Sequence, residues 1–363
     1  MAQPESGSAL SVSPGIPPML ARPVRELPVG PFLYEPKWDG FRSLVFASGQ
    51  DVDMRSRHQR PLARYFPELV EALQSIGRRF AIDGEIVIFD GKGADFDALL
   101  QRLHPAKSRV DHLARQTPAS FIAFDFLGLD NNDLTREPFV VRRSMLVELL
   151  GARDAPLFVT PATEIADKAR EWLQLAGSGI DGVMAKDPNA PYLAGKRSWI
   201  KVKLARTADC VVGGFRWHHA EPVVGSLLLG LYDQDAILRH VGLTATFSAA
   251  KRRSLLDDVK AFVTNIAYHP WGEGFPHSEG PVGRLPGAAS RWGYDGQPTW
   301  VPLRPELVCE VSYDHLHGDR FRHPPHFKSW RPDRNARSCK FDQFESPTVD
   351  LANFVRWSRP VGD

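Results

Sequence analysis

Cysteine is scarce in this chain. The three present, Cys210, Cys309 and Cys339, are far apart and form no C-x-x-C pair. That argues against a disulfide framework and a zinc knuckle, and fits a reducing cytoplasm. Net charge is nearly absent too: 45 Lys+Arg against 43 Asp+Glu leave +2. Bulk charge therefore does not mark a nucleic-acid binder, and only local clustering can. No apolar run approaches the length that spans a bilayer. The first twenty residues, rich in Ser, Pro, Gly and Ala, lack the basic start and apolar core of a signal peptide. Residues 1–18 are expected to be a disordered leader. What remains is ordinary globular composition, 43% hydrophobic and 24% charged over 363 residues, enough for two domains.

From Phe32 to Lys203, short strands and helices mix irregularly. Strands are expected at 43–47, 80–89 and 121–127, and helices at 66–76, 140–150 and 163–176, with Pro67 in a first turn. The lack of strict strand–helix alternation favours an α+β class with antiparallel sheets. The character changes near Leu204 to Thr207, a natural hinge, and the following stretch is rich in strands: 210–215, 226–232, 237–241 and 307–313, with a helix at 249–264. That succession is expected to give a small five-stranded OB-type barrel. Residues 271–299, rich in Gly and Pro, read as a long mobile loop. The expected division is a leader to 18, a first domain over 19–205 and an OB domain over 206–363.

The most informative segment is Glu35-Pro36-Lys37-Trp38-Asp39-Gly40-Phe41-Arg42. K-x-D-G alone arises by chance in about one chain in ten of this length, and the added arginine lowers that to roughly one in two hundred. A lysine so placed can attack the α-phosphate of a nucleotide. Neutralising it at pH 7 costs about 4.6 kcal/mol, a cost that burial and neighbouring cations reduce. Arg42, Lys201 and Lys203 are the candidate cations. Alternation in Trp199-Ile200-Lys201-Val202-Lys203 puts both lysines on one face, which suits phosphate binding and equally a solvated amphipathic strand. Asp181-Gly182, after a turn, and Glu85, inside an apolar strand, offer oxygen ligands for Mg²⁺; alone, each also reads as a turn or strand-edge acid. Phe124 lies in an apolar run and stacks on a base only if its neighbours make a site. Near the C-terminus, Arg320, Arg322, Lys328, Arg331, Arg334, Arg337 and Lys340 interleave with Phe321, Phe327 and Trp330, as phosphate-backbone contact would use. His315, His317, His323 and His326 fall there without acidic or cysteine partners placed for a metal.

Taken in order, these segments resemble the covalent nucleotidyltransferases, and within them the ATP-dependent DNA ligases of the small bacterial ligase C type. Residues 35–42 resemble motif I, Ser56-Arg57 motif Ia, 121–127 motif III, 181–186 motif IV, 199–203 motif V, and Arg331-Pro332-Asp333-Arg334 motif VI. The resemblance implies an adenylation domain followed by an OB domain. By it, Lys37 is the adenylated lysine, Glu35 reads the adenine amino group, and Phe124 and Met184 sandwich the base. Arg42 and Glu85 meet the ribose, Arg57 a phosphate of AMP or the nick, and Lys201 and Lys203 the α-phosphate. Asp181 and Glu85 bind Mg²⁺ or Mn²⁺. Arg331, Asp333 and Arg334 orient the departing pyrophosphate. Two positions depart from the pattern: Asp181 stands where Glu is usual, and Arg334 where Lys is usual.

The same resemblance implies ATP as cofactor and nicked double-stranded DNA as partner, in DNA repair, by a cytoplasmic monomer, with other repair proteins as further partners. A helical DNA-binding domain before motif I is not expected, so nick binding is expected to be modest and salt-sensitive. RNA ligase or capping chemistry shares the lysyl-nucleotide step and is the alternative activity. A non-enzymatic OB-type nucleic-acid-binding protein is the alternative outside catalysis.

Overall fold

The computed structural model describes residues 10–91, 93–153, 155–175, 177–204, 206–272, 300–314, 316–344, 350 and 354–355. The chain divides into two compact units, Met1–Leu204 with Ser346–Asp363, and Ala205–Glu345. In chain order the first unit carries β1 (Leu20–Val24), β2 (Leu33–Trp38), β3 (Phe41–Ser48), β4 (Asp51–Ser56), α1 (Pro67–Gln74), β5 (Phe80–Ile88), α2 (Phe96–Gln101) and α3 (Lys107–Gln116). It continues through β6 (Ala119–Leu129), β7 (Asn132–Asp133), α4 (Phe139–Leu150), β8 (Leu157–Val159), α5 (Ala166–Gln174), β9 (Ile180–Lys186) and β10 (Arg197–Val202). Two largely antiparallel sheets result, ordered β1-β10-β9-β2 and β4-β3-β5-β6-β7, with β8 alongside β6. This is the mixed α+β class expected.

Alternation along β3 shows why the second sheet forms. Val45 and Ala47 enter one core with Leu69 and Leu73 of α1 and Leu146 and Leu150 of α4. Leu44 and Phe46 point the other way, to a cluster that includes Tyr192 and Trp199. Both faces of the sheet are buried, so β5 and β6 read as almost unbroken apolar runs. Helix α4 is tied to β6 by a bidentate pair between fully buried Arg142 and Asp125, at 2.8 and 3.0 Å. Removing one partner strands a buried charge and costs about 3–5 kcal/mol. Helices α2 and α3 were not among the expected elements: α2 is short and held by its Asp95 cap, and α3 is a polar helix that buries only Val110 and Ala114.

Two boundaries differ from expectation. Residues 10–18, expected to belong to a disordered leader, are described and in part packed; residues 1–9 lie outside the described residues. Val12 is buried with Leu44, Phe46, Ala81 and Leu127, and Gln59 donates to the Ile16 carbonyl. Average composition hid the apolar side chains Val12, Ile16 and Met19. At the other end, expected to belong to the OB domain, Phe354 and Val355 pack with the first unit. Phe354 stacks edge-on against Trp38 and Trp172, and Val355 is buried beside Val87 and Ile180.

The second unit runs β11 (Arg206–Trp217), β12 (Val224–Tyr232), β13 (Leu238–Thr244), α6 (Ala249–Val259), β14 (Trp300–Pro302), β15 (Val308–Tyr313), β16 (Leu316–His317), β17 (Arg320–Phe321) and β18 (His326–Trp330). Its main sheet is ordered β13-β12-β11-β15-β18. That is third, second, first, fourth, fifth, with a helix between third and fourth, the path of an OB barrel. The Phe327 amide donates to Thr244 Oγ1 at 3.2 Å, joining the two outer strands. Trp271, expected to begin the long loop, is instead core. Its indole N–H donates to the Leu238 carbonyl at 2.8 Å, and its ring fills the space over Gly213 and Gly230. The rest of that expected loop, 273–299, lies outside the described residues. Phe321 is buried and Phe327 and Trp330 pack on the core, so these aromatics support the barrel instead of interleaving with its exposed cations. All three cysteines are free and buried.

Candidate active site

The site begins with strand register. On the four-stranded sheet, Glu35 pairs with Met184 and Met184 with Lys201. Directly opposed residues share a face, so one row across β2, β9 and β10 presents all three. Next to it the register shifts: Pro36 opposes Val183, but Trp38 opposes Ile180. Lys37 therefore faces two residues, Asp181 and Gly182, in a β-bulge. Such an irregularity re-aims a side chain. It also explains the glycine. Gly182 sits at φ +139, and a Cβ there would fall 2.1 Å from the Val202 carbonyl. Gly40 of the K-x-D-G segment is fixed by close approach, since its Cβ would lie 2.2 Å from the Ile86 carbonyl.

The bulge sets Lys37 Nζ 2.5 Å from Asp181 Oδ2, and Lys203 Nζ lies 2.8 Å from the same oxygen. Burial pushes the Lys37 ammonium down, but Asp181, with help from Glu85 and Asp39, outweighs it and holds the pKa above its ordinary value. This corrects the expectation that Arg42, Lys201 and Lys203 would poise Lys37 as a neutral amine. The cations are there, but Asp181 is nearer. Lys201, not Lys37, is lowered by its surroundings, first by burial and then by Lys37, Lys203 and Arg57. Arg57 itself is exposed in the turn after β4 and makes no ion pair among the described residues.

The six-stranded sheet contributes the opposing set. Arg42 pairs bidentately with buried Asp83 at 3.0 and 2.6 Å, and Tyr192 donates to the same carboxylate at 2.7 Å. The guanidinium is thereby fixed 5.4 Å over the Phe124 ring and 5.2 Å over Trp199. Phe124 and Met184 are both half-buried and belong to one apolar cluster, as a base-stacking pair requires. Glu85, two residues from Asp83 on the same face, makes no hydrogen bond among the described residues. Burial raises its pKa to about 8, against the pull of Lys37 and Arg42.

Glu35 is almost fully buried and doubly paired, to Arg143 at 2.8 Å and Lys186 at 2.7 Å. Lys186 also donates to the Phe124 carbonyl at 2.7 Å and lies 4.5 Å from the Trp199 ring. It is buried, and burial lowers its pKa. The sequence expectations assign no role to Asp83, Tyr192, Lys186 or Arg143, although Lys186 ends the motif IV segment and Asp83 lies two residues before Glu85. Alternation pointed to Lys186 (same face as Met184) and Asp83 (same face as Glu85); no local pattern pointed to Arg143 or Tyr192.

Carboxylates suit a divalent cation that keeps most of its water. Glu85, without a hydrogen-bond partner, fits that role directly. Asp181 fits only by exchanging lysine partners. Among the described residues no group of three or more metal-ligating side chains exists. In the second unit, Arg331 forks between Asp209 at 3.0 Å and Asp333 at 2.8 and 3.0 Å, and Arg334 Nε lies 3.1 Å from Asp209. No described helix is long and apolar enough to cross a membrane.

Comparison with known proteins follows the same division. The family described as ATP dependent DNA ligase domain matches residues 18–203, and that described as ATP dependent DNA ligase C terminal region matches 220–334. DNA ligase C of Mycobacterium tuberculosis is 48% identical over 354 residues, covering 95% of this chain and 98% of that protein. DNA ligase C2 of Mycolicibacterium smegmatis is 48% identical, covering 93% and 96%. A solved structure of a Lig E DNA ligase aligns with a TM-score of 0.52 at 17% identity, covering 86% of this chain and 99% of that one, a likeness of fold.

Proposed function

The chain belongs to the ATP-dependent DNA ligases, and from that premise we propose how its residues divide the work of sealing a 3′-hydroxyl/5′-phosphate nick. In the first step the Lys37 amine attacks the α-phosphorus of ATP. An N–P bond forms, the bond to pyrophosphate breaks, and the ammonium proton is released. In the second, AMP passes from Lys37 to the 5′-phosphate of the nick. In the third, the 3′-hydroxyl attacks that phosphate and AMP leaves. Each step is displacement at phosphorus, so positioning and charge neutralisation carry the catalysis.

The observation that carries this reading is the bulge that presents Lys37 to Asp181, with Lys203 on the same oxygen. Lys201 and Lys203 take the α-phosphate, and Arg57 a phosphate of AMP or of the nick. Glu35, its charge held by Arg143 and Lys186, accepts from the adenine amino group. Phe124 and Met184 flank the base, and Arg42 and Glu85 meet the ribose. Glu85 and Asp181 hold Mg²⁺ or Mn²⁺, which when bound supplies positive charge against the phosphate oxygens. Residues 206–344 act as the OB domain and bring Arg331, Asp333 and Arg334 to the pyrophosphate in the first step only. The protein acts as a cytoplasmic monomer on nicked duplex DNA in repair, alongside other repair proteins.

The test is nick sealing and labelling from α-labelled ATP with magnesium, in wild type and Lys37→Ala. Wild type takes label and seals; the variant loses at least about 10⁴-fold in both. Sealing by the variant, or labelling from GTP alone, overturns the proposal.

A further inference from the structure

Motif VI is held in the second unit by an aspartate that lies far from it in sequence. Asp209, four residues into β11, is mostly buried and sits between two guanidinium groups. Its Oδ1 lies 3.0 Å from Arg331 Nη1 and its Oδ2 3.1 Å from Arg334 Nε. Its own backbone is fixed on both sides. The Asp209 amide donates to Gln343 Oε1 at 2.8 Å, and Gln343 Nε2 donates back to the Asp209 carbonyl at 3.2 Å. The ladder sets Asp209 opposite Glu310, and the Arg331 amide donates to the Val308 carbonyl at 2.8 Å. The carboxylate is thus anchored more firmly than the loop it grips.

The choice of nitrogen matters. Arg331 spends Nε and Nη2 on Asp333 and Nη1 on Asp209. Arg334 meets Asp209 only as an ion pair, through Nε at 3.1 Å, and its side chain makes no hydrogen bond among the described residues, so both terminal nitrogens are left for another partner. A planar fork can give one edge to a carboxylate and keep another for phosphate, whereas a lysine has one nitrogen for both. We propose that Asp209 is a positioning residue for self-adenylation: it orients Arg331 and Arg334 so that the free Arg334 nitrogens meet the departing pyrophosphate. The arginine at 334, where ligases of this type usually carry lysine, is then the partner that Asp209 requires. The inference rests on the pyrophosphate role given to motif VI above.

The full-length protein is assayed twice, for self-adenylation by rapid quench with α-labelled ATP, and for sealing of a pre-adenylated nick without ATP. Asp209→Asn slows self-adenylation about ten- to a hundredfold and leaves the second assay within about twofold. Arg334→Lys slows self-adenylation alone, but adds little in the Asp209→Asn background, because the two act through one contact. Equal losses in both assays mean that Asp209 only supports the fold, and overturn the inference, as do single losses that multiply in the double variant. Arg334→Ala separates the levels. If it is slow while Asp209→Asn is normal, only the role of Asp209 fails. If it self-adenylates at the wild-type rate, the motif VI reading fails and this inference with it.

Discussion

Two clusters in this protein pair aspartate with two cations, and they behave in opposite ways. Around Asp181 the partners are partly buried, and the neighbouring Glu85, short of solvent, is pushed up to about 8. Around Asp209 the arginines border solvent, and the companion Asp333 is pulled down to about 2 by its hydrogen bond to Arg331. The same carboxyl chemistry is driven towards the neutral acid in one place and the anion in the other. Desolvation decides the first and a guanidinium the second. The first cluster stores its charges in a state that must change before Lys37 can react. The second offers charge already ionised, with contacts that exchange cheaply because water screens them.

Breaking the first cluster has the larger effect. Asp181→Asn removes the charge that holds Lys37 protonated and also removes a carboxylate proposed for the metal. Self-adenylation at pH 7.5 falls about 10²- to 10³-fold. Its pH profile moves as well. The neutral amine is the nucleophile, so the wild-type rate climbs with pH while Lys37 stays protonated. Without Asp181 the lysine pKa drops and the climb begins at lower pH. A profile of unchanged position would show that Asp181 does not control the nucleophile.

Glu85 sharpens the contrast at smaller magnitude. With a pKa near 8 it is mostly protonated at pH 7, and a divalent cation must displace that proton. Apparent Mn²⁺ affinity of the wild type rises by up to about tenfold per pH unit below pH 8 and levels off above it. Glu85→Gln flattens the curve at weak affinity. Titration with Mn²⁺ at several pH values reads both, and a flat wild-type curve would remove Glu85 from the metal's environment.

Much of the first cluster was legible in the sequence because it follows strand alternation. Lys201 and Lys203 share a face as two-residue spacing requires, and Glu35, Met184 and Lys201 fall in one row once the strands pair. The state of Lys37 was not legible. Nearby cations argued for a neutral amine, but the bulge that brings Asp181 to 2.5 Å depends on the register between β2 and β9. Residues 144 positions apart do not announce their pairing. Asp209 was hidden for the same reason: 122 residues separate it from Arg331, and locally it is one acid in a strand. Trp271 was misjudged differently. The Gly- and Pro-rich stretch that it opens is polar on average, and one indole inside a barrel does not move that average.

Salt tests the contrast most finely. At 1 M ionic strength the screening length falls to about 3 Å, from about 10 Å at 0.1 M. The solvent-bordering pairs of Asp209 then weaken, so wild type loses part of what Asp209→Asn lacks already. The ratio of their self-adenylation rates narrows by about two- to threefold between 0.1 and 1 M NaCl. The ratio of wild type to Asp181→Asn narrows less over the same range, because Lys37 and Asp181 are somewhat more buried than Arg331 and Asp209. Normalising each variant to wild type at the same salt removes the effect of ions on ATP binding that all share. If both ratios narrow equally, the two clusters are screened alike, and burial is not what separates them.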